Sequence, residues 1–147
     1  MPDIDQLIER ICHSRDEDAA IARTQLKSIL GERFPEVMLE AYGKCSRATG
    51  RDFIVSSCIA FARKSEDAKL LGLKALKDRS KFVRLSAAGL LAYSLDRNML
   101  EALKNALPGK TDMDKKYLLS AIYAIEEQNH HFFLDPDRTG KVIWNVE

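Results

Sequence analysis

Apolar residues in the first part of the chain fall on helical stripes. Ile4, Leu7, Ile8 and Ile11 follow one another at spacings of 3, 1 and 3, the mark of an amphipathic helix. Asp3 and Gln6 occupy capping-box positions ahead of it. Ser14 to Glu17 repeats that start signal and opens a second helix with Ala20, Ile21, Leu26, Ile29 and Leu30, stopped at Gly31. Pro35 suits a first turn, and the short third helix it begins ends near Gly43. The next stretch, "KCSRATGR", has no apolar period and predicts a loop.

From Asp52 the pattern repeats. A shift of 29 residues sets Phe53 on Phe82, Ile54 on Val83, Cys58 on Ala87, and Phe61-Ala62 on Leu90-Leu91. The same shift brings Asp67 to Asp96, Leu70 to Met99 and Leu71 to Leu100. Each unit reads as two helices, with its Asp near the start of the second. A third copy begins at "YLLSAIYAIEE", where Leu119-Ser120-Ala121 echoes Leu85-Ser86-Ala87. Helical hairpins of this length bury their apolar faces only by stacking.

The stretch "DRSKFVRLSAAGLLAYSLDRNMLEALKNAL" resembles a HEAT-type repeat, with Asp78 upstream, Val83-Arg84, the small Ala87 and Ala88, and a Leu-rich second helix. The match is good over residues 78–107, fair over 52–77 and partial over 112–128. The resemblance implies an all-α fold: a right-handed stack of antiparallel helical hairpins, a HEAT-like superhelix of about 8 helices. The whole chain then forms one domain: N-terminal helices over 1–50, repeats over 52–128 and a tail over 129–147.

The tail breaks the pattern where the third unit needs its second helix. Phe132-Phe133 and Val142-Ile143-Trp144 favour strands, and "DPDRTG" between them is rich in turn formers. A small C-terminal β-hairpin, capping the stack through Trp144 and one Phe, is the expectation. The same turn has a weaker reading as a calcium loop, with Asp135, Asp137 and Thr139 at positions 1, 3 and 5 and Gly140 at 6. Position 12 is Val146, however, so the bidentate Glu is missing, and no metal is expected. The tail's His131, Phe132, Phe133, Asp135, Asp137, Gly140, Lys141, Val142 and Trp144 resemble the C-terminal segments of small bacterial HEAT-like proteins. Some of those are thought to be immunity partners of bacterial toxins.

Composition narrows the function classes. Lys plus Arg number 23 against 22 Asp plus Glu, a net charge of +1, which argues against a dedicated nucleic-acid binder. Cys12, Cys45 and Cys58 are an odd set without CxxC spacing, which suits a reduced, cytoplasmic protein. No apolar run reaches membrane-spanning length, and no basic start leads into a signal-like segment. His13, His130 and His131 lack the three- or four-residue spacing of a helical metal pair. No GxSxG, HExxH, P-loop or dinucleotide motif occurs. Neither an enzyme nor a cofactor is therefore expected.

The expectation is an interaction module that binds another protein, with a toxin occluded by an immunity protein as its most concrete form. Lys69, Lys77, Arg97, Glu101 and Lys104 lie off the Leu stripe of the second helices and are the candidate partner-binding residues. The protein is expected to be a monomer or weak dimer. The alternative is a nucleic-acid protein on the same scaffold, since some HEAT-like proteins resemble alkyl-base DNA glycosylases. Near-neutral charge and a single Trp, placed in the tail, depart from that pattern.

Overall fold

The computed structural model describes residues 3–14 and 16–146, with Asp16 described in backbone only. Helix α1 (Ile4–His13) starts at the Asp3–Gln6 capping box, with both reciprocal bonds formed. Next come α2 (Asp16–Leu30), α3 (Phe34–Lys44), α4 (Ala48–Ser57), α5 (Glu66–Ala75), α6 (Lys81–Ser94), α7 (Leu100–Asn105) and α8 (Asp112–Glu126). Seven of these have ten or more residues and α7 has six, so the domain is all-α. The second capping box falls partly on Arg15 and the side chain of Asp16, outside the described residues. Gly31 ends α2 with a φ of +55°, a conformation that favours glycine.

The helices lie in two layers. Helix α4 packs against α1, α6 against α4, and α8 against α6, forming one row. On the other side α5 packs against α3 and α6, and α7 against α8. Between the layers sit Leu7, Leu26, Phe34, Met38, Ile54, Leu71, Leu90, Leu91, Leu103 and Ile125, all essentially inaccessible to water. Burial of one such Leu or Phe contributes about 1.5–3 kcal/mol, so these residues set the fold.

Three expectations need correction. "KCSRATGR" is not a loop throughout, because α4 begins at Ala48 and buries Gly50 and Arg51 in its first turns. Its polar residues hid the helix because Arg51 faces inward, onto a buried carboxylate. Moreover, the two units do not repeat at 29 residues. The N-cap positions of α4, α6 and α8 are Arg47, Ser80 and Thr111, at spacings of 33 and 31. A helical stripe nearly coincides with itself after four residues, so apolar matching alone slips by one turn.

The C-terminal β-hairpin is the third correction: no strand forms among the described residues. "HHFF" instead makes a turn of 3-10 helix, His130–Phe133, capped by the Asn129 side chain. Its backbone groups are used locally: the Leu134 and Asp135 N–H groups both return to the His131 carbonyl. A helical turn offers no ladder to a second strand. Residues 141–146 consequently carry no regular structure, yet Trp144 still folds back onto this turn and α6.

Candidate functional site

The buried charges form a line across the first row of helices. The Arg51 guanidinium on α4 donates through Nε to Asp78 at 2.9 Å and through Nη2 at 3.2 Å, while Nη1 reaches the Ser46 carbonyl at 2.7 Å. The Tyr42 hydroxyl donates to the same carboxylate at 2.6 Å. At the next step Arg84 on α6 donates to the Asp78 carbonyl at 2.9 Å and pairs with Asp114 on α8 at 3.4 Å. The Tyr117 hydroxyl donates to Asp114. Each Asp–Arg–Tyr group thus ties one helix start to the preceding helix. With every carboxylate oxygen engaged inside the fold, the line is built to hold helices in register.

The five candidate partner-binding residues are not brought together. Lys69 is only 8% exposed on α5, and its Nζ sits 3.0 Å from Asp96 and 3.3 Å from Glu66. Burial opposes its charge, but the two carboxylates prevail and its pKa rises. It therefore fastens α5 to the 3-10 turn that precedes α7. Arg97 is exposed on that turn, and Glu101 and Lys104 are exposed on α7, where Lys104 lies 3.8 Å from Glu126. Only Lys77 borders a depression.

That depression is a groove of about 590 Å³ between the C-terminal ends of α5 and α7. Leu73, Leu76, Ala102 and Ala106 supply its apolar surface, and Lys77 and Lys110 its charge; none of the lining residues is acidic. Pro108, Asn105 and Lys110 were missed from sequence, since they follow the Leu stripe rather than belong to it.

A second cleft, about 450 Å³, lies between α2, the end of α4 and the tail. Arg23 and Lys27 line it together with Ser56, Trp144 and Asn145. Arg23 rests 4.9 Å above the Phe53 ring, and the Lys27 ammonium lies 5.6 Å from Phe34 and 5.7 Å from Phe61. These cation–π contacts hold two positive charges one helical turn apart.

In the tail, Asp135 is buried, and its carboxylate accepts from the Thr139 N–H and hydroxyl, both at 3.0 Å, and from the Gly140 N–H at 2.9 Å. Burial alone would raise this carboxyl; those donors outweigh it and hold it below its usual value. Asp135 and Thr139 are thus bonded to each other rather than turned toward a common ion, and Asp137 is exposed. No group of three or more potential ligands gathers anywhere among the described residues. The turn's work is to steer the chain back, so that Trp144 reaches Phe133, at 5.5 Å between centroids, and Tyr93, at 5.9 Å.

No family model, curated protein or solved structure matches this chain. The architecture defines the class, an all-helical domain whose helices pack against each other. None of its described helices is long and apolar enough to cross a membrane.

Proposed function

We propose that this chain is a protein-binding module of HEAT-like stacked hairpins, whose groove between α5 and α7 takes an acidic, apolar-anchored segment of another protein. The groove carries the reading: apolar side chains form its surface, with two lysines and no carboxylate among the residues lining it. Such a surface matches a partner segment with one buried apolar side chain flanked by Asp or Glu. The side-by-side order of α4, α6 and α8 supports the stacked reading. Occlusion of a toxin by this face is the most specific form of the proposal, resting on the resemblance of the tail to C-terminal segments of small bacterial HEAT-like proteins, some of which are thought to be toxin-immunity partners.

The test is a photo-crosslinker at Ala102, used to recover the partner from the native host. Affinity is then measured for the Lys77→Glu/Lys110→Glu double variant. Reversing both charges should weaken binding by about tenfold or more and remove most of its salt dependence. Unchanged affinity in a folded double variant would sink the assignment of this groove.

A further inference from the structure

His130 and His131 stand where the expected hairpin would have had its ladder. The Trp144 carbonyl accepts from His130 Nε2 at 2.9 Å, and the Trp144 N–H donates to His131 Nδ1 at 2.9 Å. The opposite nitrogen of His130, Nδ1, faces Arg63 Nη2 at 3.0 Å. A guanidinium only donates, so Nδ1 must accept and His130 is held as the neutral Nε2–H tautomer. His131 Nδ1 likewise accepts only while it lacks a proton. The two rings lie 4.0 Å apart between centroids, so two imidazolium charges here would repel.

We infer that these two histidines form an acid-sensitive latch, which holds Trp144 against α6 while His130 is neutral and releases it when His130 is protonated. A proton on His130 Nδ1 points at the Arg63 guanidinium, which is fixed by its Nε bond to the Tyr93 carbonyl at 2.9 Å and by its seat 4.1 Å above the Tyr93 ring. Nearby carboxylates have other partners. Glu127 pairs with Arg138 at 3.3 Å, Glu126 lies 3.8 Å from Lys104, and Asp135 is bound by its own loop. From α6 the facing group is Tyr93, whose ring meets His130 edge-on at 4.9 Å.

Burial, joined by the charges of His131 and Arg63, depresses the His130 pKa below its ordinary 6.5 despite the Trp144 bond. The folded chain therefore binds this proton less readily than the released tail does. The latch contributes fully above pH 6.5 and is lost as the pH falls through the depressed value. Release would bare Phe133, Tyr93 and the helix surface at Gly89, and would remove the Trp144–Val146 wall of the α2 cleft.

Trp144 is the single tryptophan of the chain, so its emission reads the latch directly. Titration from about pH 8 to about pH 5 should shift that emission to the red, with a midpoint below the ordinary histidine value and an unchanged far-ultraviolet helical signal. A His130→Gln/His131→Asn variant supplies a non-titrating donor and acceptor, and should keep the blue emission across the range. Constant wild-type emission would overturn the inference. So would the same acid shift in the double variant, or loss of helical signal in step with the shift.

Discussion

At Asp78 the Tyr42 hydroxyl, two nitrogens of Arg51 and the Ser80 N–H converge on one buried carboxylate. Burial alone would raise its pKa, but the Arg51 guanidinium, with Tyr42 and Ser80, pulls it below the ordinary 3.8. A depressed carboxylate contributes stability above its unfolded pKa, and that contribution fades as pH falls through the folded value. The arginine is as buried as its partner, so its removal leaves a desolvated charge behind. Arg51→Ala should therefore cost about 3–5 kcal/mol at neutral pH. It should also flatten the decline in stability below about pH 4. Urea denaturation at several pH values reads both effects, and a loss under about 1 kcal/mol would contradict this account of the pair.

Among the elements, helix existence was legible and register was not. Ile4, Leu7 and Ile11 mark α1 because a half-buried helix must place apolar residues every three or four positions. The start of α4 was hidden because its inward residues are Gly50 and Arg51, one without a side chain and one charged. Gly50 has its own reason to be there. A Cβ at that position would lie 2.7 Å from the Cys12 carbonyl oxygen and 2.9 Å from the Cys12 Cα. Backbone atoms cannot step aside cheaply, so Gly50→Ala should prise α4 from α1 and cost about 1–3 kcal/mol, against the usual gain from alanine in a helix. A melting temperature equal to or above wild type would refute that close approach. The tail was half legible: its turn and its aromatic anchoring followed from residue types, whereas the 3-10 turn at "HHFF" did not. Histidines donating and accepting across space leave no signal in a periodicity.

For the molecule as a whole, the three thiols report on cooperativity. Cys12, Cys45 and Cys58 are free and buried, in α1, just after α3 and just after α4. Burial, with the neighbouring Cys45, pushes the Cys12 thiol up to about 12, and burial pushes Cys58 up to about 12. Thiolate is the reactive form and all three sulfurs are buried away from a reagent, so a disulfide reagent at mildly alkaline pH should leave the native protein almost untouched. In moderate denaturant all three should label at one common rate, since α1 is packed on both α2 and α4. Distinct rates would mean that the N-terminal helices open separately from the rest.

Lys69 carries a consequence for anyone mapping a binding face on this protein. In sequence it looks like a surface lysine among others, yet its ammonium clasps Asp96 and ties α5 to the turn before α7. Those are the two helices that frame the groove. A Lys69→Glu chain that lost its partner would have lost the shape of the cleft, not a contact within it. Such a variant mimics a hot spot from beneath the surface, and Lys77→Glu is the substitution that tells the two apart.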